Sequence, residues 1–328
     1  MKKVVLAAAL AVLPALASAA SILFIGNSFT FADRSPVHFW RASTVADLNN
    51  TGVGGMPALF KQFTVDVGLT YDVSVEAQPG VGLDWHLEQR GAMLTQRPWD
   101  SVVMHGYSTL DARKPGDPAL VVDTVHRMAE LLRTRNPAVE LRVMATWPRA
   151  DQLYDPHGAW YGKPVAAMAH DLRAGYDKAV AATPGMKAVI PVGEAWVRAM
   201  QVGVADSNPY DGVDFGKLDL WSYDHYHASA AGYFLEALVV FGSVTGLDPR
   251  LLGDTECAGY ELGLSKPQVA ALEQVAFDQL ASTGAVKPAA VRGGEPGEPQ
   301  KCTRKSAEPL PHDDQGQALR ADHVRRGR

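Results

Sequence analysis

The chain has 328 residues, 47% of them apolar, and a formal net charge of −5. That suffices for a sizeable core in one large or two small domains. With no basic stripe interleaved with aromatics, the acidic balance excludes a general nucleic-acid binder. The N-terminus comes first. Lys2 and Lys3 precede an apolar run over 4–16, and Ala17-Ser18-Ala19 supplies the small residues of a cleavage site. This pattern predicts a secretory signal cut after Ala19, with the mature protein secreted or periplasmic and without a membrane anchor after cleavage.

The next stretch is Ile22-Leu23-Phe24-Ile25-Gly26-Asn27-Ser28-Phe29-Thr30. A short unbroken apolar run reads as a strand covered on both faces, as in a parallel sheet between helices. Gly26 permits a sharp turn and carries Ser28 to the strand's carboxyl end, where open α/β sheets bind ligands. Ser28 is thus a candidate nucleophile, against the plainer reading of a serine capping a turn or helix.

Ser35-Pro36 predicts a helix running to about 48, and 49–57 reads as a loop before a short helix over 58–66. Further strands are expected at 71–77, 101–105, 140–145 and 187–192. Between them lie helices over 83–94, 119–135 and 164–182, with another opening at Gly193-Glu194-Ala195-Trp196. A polar loop covers 206–219, a helix 229–244, a linker-like excursion 245–265 and an amphipathic helix 266–282. Strands alternating with helices predict a three-layer α/β/α sandwich around a mainly parallel five-stranded sheet, within one domain over 20–283. From 284 to 328 the composition shifts to Pro, Gly and scattered charges, the pattern of a flexible tail. In an oxidising compartment Cys257 and Cys302 either pair and tie down that segment or stay as two thiols.

Asp224 and His227 form an Asp-x-x-His pair on a loop entering a helix. At this spacing a tight turn can bring the carboxylate to one imidazole nitrogen, leaving the other to take a proton from a serine hydroxyl. Gly26-Asn27-Ser28 near the start, with Asp224-x-x-His227 and the following Ala228-Ser229-Ala230-Ala231-Gly232-Tyr233, resembles the SGNH (GDSL-like) hydrolase superfamily over residues 21–245. The resemblance implies a flavodoxin-like sandwich and an esterase, lipase, acetylesterase or acetyl-transfer activity. It also implies Ser28 as nucleophile, His227 as general base and Asp224 as its orienter. The Ser28 backbone amide and that of Gly82, with Gly80 as the other choice, would hold the oxyanion.

The third block departs from that pattern. His105-Gly106-Tyr107-Ser108-Thr109 puts Ser108 where the family has an asparagine donor, leaving Ser108, His105 or Tyr107 to serve. With Thr146-Trp147-Pro148 and the segment at 191–196, this variant resembles a little-characterised bacterial subgroup known only as a domain of unknown function. Asn27 stands where Asp is commoner. Asn27, His105, Tyr107, Trp147 and Trp196 are candidate substrate contacts, and Trp221 falls beside the Asp-His loop; for the three tryptophans, packing over the sheet's end is the plainer reading. His86 is expected at the surface or half-buried, with the pocket lining as its other reading. His225 lacks partners at ligand spacing, so neither metal nor cofactor is expected.

The expectation is therefore a serine esterase cleaving a short acyl group, acetyl by preference, from a small-molecule or glycan ester. An O-acetyltransferase with the same triad and a glycan-binding module that has lost catalysis are the alternatives.

Overall fold

The computed structural model describes residues 19–253 and 256–289. Apart from Ala19, the signal segment lies outside the described residues, as do Cys302 and the tail beyond 289. Cys257 is disulfide-bonded.

Six parallel strands form one sheet in the order β2-β3-β1-β4-β5-β6. They are β1 (Ala20–Gly26), β2 (Ala46–Asp47), β3 (Tyr71–Ala77), β4 (Ser101–Met104), β5 (Glu140–Ala145) and β6 (Met186–Pro191). Without β2 this is the flavodoxin-like order, with its switch point between the flanking strands of β1. In β1 the apolar run alternates between two cores. Ile22 and Phe24 face one, and Leu23 and Ile25 the other. The first core is closed by α1 (Gly55–Asp66), α7 (Val192–Gln201), α8 (Ala230–Thr245) and α10 (Lys266–Ser282). The second lies under α2 (Leu83–Gln89), α3 (Gly91–Leu94), α4 (Ala119–Arg133), α5 (Ala150–Tyr154) and α6 (Val165–Ala182). A short α9 (Ala258–Glu261) precedes α10.

Three expectations are corrected. The sheet has six strands rather than five, because two residues pair with β3 at its outer edge. The helix expected over 36–48 is instead a chain of turns ending in a 3₁₀ turn at Ala42–Thr44. Ala32, Arg34 and Arg41 take φ of 62°, 60° and 45°, left-handed values that no α-helix accommodates. The Val37 and His38 carbonyls, which a helix would use internally, accept the Gly54 and Gly55 amides. The helix expected over 83–94 is also split, at Arg90. No described helix is long and apolar enough to cross a membrane.

Candidate active site

At the end of β1, a Cβ on Gly26 would lie 2.2 Å from Thr30 Oγ1 and 2.3 Å from His105 Nε2, so only glycine fits. Asn27 then locks the turn. Its Oδ1 accepts the Phe29 amide at 3.1 Å, while Nδ2 donates to Val81 O at 2.9 Å and Gly106 O at 3.2 Å. One carboxamide thereby joins the loops after β1, β3 and β4. An aspartate would turn an acceptor toward two carbonyls, which gives a physical reason for asparagine here. With both amide hydrogens engaged, the Asn27 side chain holds the three loops together.

Ser28 follows, nearly buried. Its carbonyl accepts the Asp33 amide at 3.0 Å and the Tyr233 hydroxyl of α8 at 3.1 Å. The Asp-His loop is stitched to the same turn, since Ser222 Oγ donates to Arg34 O at 2.7 Å and Arg34 Nη1 donates to the Tyr223 hydroxyl at 2.9 Å. The ring of Phe29, next to Ser28, packs edge-on against His227 with centroids 5.9 Å apart.

Within the Asp-His loop, His225 takes φ 56° and reverses the chain. Asp224 Oδ1 accepts the amides of Tyr226 and His227 at 3.1 and 2.9 Å, and Oδ2 lies 2.6 Å from His227 Nδ1. Burial works to raise the Asp224 carboxyl, but hydrogen bonds from the His227 ring and from both amides overcome it and hold it below its ordinary value. An ionised carboxylate only accepts, so Nδ1 carries a proton that it donates to Asp224. Nε2 is buried with no hydrogen-bond partner, and the nearest acidic oxygen is Asp33 Oδ2 at 3.9 Å. Ser28 Oγ is not hydrogen-bonded to it; such bonds are commonly loose without substrate.

Asn27 and Tyr226, the chain neighbours of Ser28 and His227, line a cleft of about 290 Å³ together with Gly80, Tyr107, Ser108, Thr109, Arg149 and Gln152; Ser28, Asp224 and His227 do not themselves line it. Gly82 stands at its edge against Tyr107, whose ring would lie 2.4 Å from a Cβ at that position. Burial raises the Tyr107 phenol, helped by the Asp84 carboxylate and opposed by the facing Gly82 amide. Ser108 Oγ accepts from Arg149 Nη1 at 3.1 Å.

Three other candidate contacts belong to the interior. His105 is buried, its Nδ1 donating to Gly106 O at 3.0 Å and its Nε2 accepting from the Thr30 hydroxyl at 2.8 Å. Burial pushes it down to about 4, so the ring is neutral. Trp147 and Trp196 are fully buried. Phe29, Trp147 and Trp196 form a stacked column with centroid spacings of 3.8 and 5.0 Å. These tryptophans back the turn that carries Ser28 and Phe29 and present no face to a sugar. Trp221 is buried as well, its indole donating to Pro148 O. His86 is fully buried, contacting Glu76 through Nδ1 and donating from Nε2 to Gly26 O at 2.8 Å. Among the described residues, no three His, Cys, Asp or Glu side chains are grouped to hold a metal ion.

Sequence reasoning missed Arg149, Gln152, Tyr226 and Asp33. For Arg149 a signal existed, because a charged residue directly beyond a strand's carboxyl end lies on the ligand-binding edge.

A parallel α/β/α sandwich of flavodoxin-like order, with a serine turn after its first strand and an Asp-His loop before a late helix, is the fold that the resemblance to SGNH hydrolases implies. Among solved structures, the chain is similar to a DUF4886 family protein from Bacteroides uniformis. That match has a TM-score of 0.56 and 15% identity, and covers 82% of this chain and 98% of that one. A candidate SGNH hydrolase from Slackia heliotrinireducens matches at TM-score 0.47 and 23% identity over 68% of this chain and 98% of its own. The family 3 carbohydrate esterase of Clostridium thermocellum matches at 0.44 and 14% over 68% and 94%. No family model and no curated protein sequence matches the chain.

Proposed function

We propose that the protein is an exported serine esterase that removes a short acyl group, acetyl by preference, from a carbohydrate. The observation that carries this reading is His227, bound to Asp224 through Nδ1 while its buried Nε2 has no partner, on the rim that also holds Ser28. In the proposed cycle Ser28 Oγ attacks the ester carbonyl as its proton passes to His227 Nε2. The backbone amides of Ser28 and Gly82, with the Ser108 hydroxyl, hold the oxyanion. His227 then gives the proton to the leaving alcohol, and water repeats the sequence on the acyl-serine. Asp224 keeps the productive tautomer and stabilises the imidazolium.

A small, largely polar cleft supports a short acyl group and a hydroxylated alcohol better than a long acyl chain. Export rests on the N-terminal sequence pattern. A fluorophosphonate probe tests the nucleophile. Labelling is expected at Ser28 and absent in Ser28→Ala; labelling elsewhere or none would overturn the reading. Activity on acetylated xylan, pectin and peptidoglycan fragments, compared with aryl esters of rising chain length, tests the substrate. Release of acetate, rather than its transfer to added glycan, distinguishes hydrolysis from acetyl transfer.

A further inference from the structure

We infer that Arg149 is a positioning residue that makes Ser108 an effective oxyanion donor in place of the absent asparagine. This rests on the serine-esterase reading. A lone serine hydroxyl is a poor substitute for a carboxamide, since its arm is shorter and its rotor spreads over staggered positions. Here Ser108 Oγ accepts from Arg149 Nη1 at 3.1 Å and has no other hydrogen bond among the described residues. A guanidinium has five donors and no acceptor, so the hydroxyl proton cannot return to Arg149. Ser108 and Arg149 both line the cleft, which is where that proton is left to point. A charged donor on Oγ also strengthens the hydroxyl as a donor in turn.

Arg149 is itself held in place. Its Nε donates to Asp151 Oδ1 at 2.9 Å and its Nη2 to Oδ2. The guanidinium lies 3.6 Å from the centroid of the Tyr226 ring, and that ring is 4.2 Å from His227. The same cation thus braces the third block and the Asp-His loop. With Asp151 neutralising it, Arg149 is poorly disposed to capture a free anionic substrate.

The test is steady-state turnover of p-nitrophenyl acetate, a neutral ester, by Ser108→Ala, Arg149→Met and the double variant, with Ser108→Asn in the Arg149→Met background. Each single change should lower kcat about 10²-fold, the usual effect of one lost oxyanion donor, with KM changed less than about threefold. The double variant should be no slower than Ser108→Ala, because Arg149 acts through Ser108. Ser108→Asn should restore at least about tenfold to Arg149→Met. Should Arg149→Met melt early, Arg149→Lys reads the same relation. An ammonium lacks the planar fork by which Arg149 spans Asp151 and Ser108, so it should slow the parent and leave Ser108→Ala unchanged.

Losses that multiply in the double variant, or an Arg149 effect confined to the KM of anionic esters, would overturn the inference while fluorophosphonate labelling of Ser28 kept the esterase reading. Absence of labelling in the parent protein would remove both.

Discussion

His105 and His227 both sit buried at the carboxyl edge of the sheet, within one shell of Phe29, and they are wired oppositely. His105 has a carbonyl on one nitrogen and a hydroxyl on the other, with neither able to exchange. His227 has a carboxylate on one nitrogen and, among the described residues, no hydrogen-bond partner on the other. Burial by itself therefore says little about a histidine's work. The difference lies in whether the fold spends both nitrogens or leaves one for something that arrives later.

The comparison breaks most visibly through turnover. His227→Gln should cost about 10⁶-fold in kcat, the scale seen when a serine–histidine pair loses a member. His105→Gln, which can still reach a carbonyl and a hydroxyl, should retain most activity. Esterase assays on both variants check this, and equal losses would erase the distinction. Asp224→Asn comes next, expected to lower kcat about 10⁴-fold with little change in substrate binding, because it disturbs the tautomer and the imidazolium.

The same contrast extends to the aromatics. Trp196→Ala should lose about 3–5 kcal/mol of stability by opening a cavity in the stacked column. Glycan-ester KM should stay near the parent value in whatever fraction remains folded, as chemical denaturation and kinetics together would reveal.

The smallest effect is pH-dependent. The folded value of His105 is about 4, below its ordinary 6.5, so on acidification the unfolded chain takes up the proton first. Its contribution is complete above about pH 6.5, declines as the pH falls, and is fully lost below about pH 4, for a total of about 3 kcal/mol. Urea midpoints measured across that window should fall in the parent and fall less in His105→Gln. Asp224, whose carboxyl is held low, contributes stability that is lost only at still lower pH, as it becomes protonated in the folded state.

Much of this arrangement was legible in the sequence, for reasons specific to each segment. An apolar run without alternation announces a strand with two covered faces, and β1 divides its residues between two cores. The Asp-x-x-His spacing announces a turn that returns a carboxylate to a ring. The turns over 36–48 were illegible because left-handed backbone at an arginine, Arg41, leaves no compositional trace. A two-residue edge strand is too short to carry a period. The tryptophans stayed open between two readings because a residue just beyond a strand can point to the rim or fold under it. Phe29, stacked at 3.8 Å on Trp147, decided for the latter. Arg149 escaped notice because its partner Ser108 lies 41 positions away in the chain.

The single carboxamide of Asn27, reaching three loops at once, makes the rim mechanically common property. Loosening any one loop strains its bonds to the other two, so opening there should be concerted. Amide exchange at residues 28, 82 and 106 should then rise and fall together as temperature or ligand changes. Under the proposed mechanism, the amides of Ser28 and Gly82 would thus be set before substrate enters, with little reorganisation left for the moment of reaction.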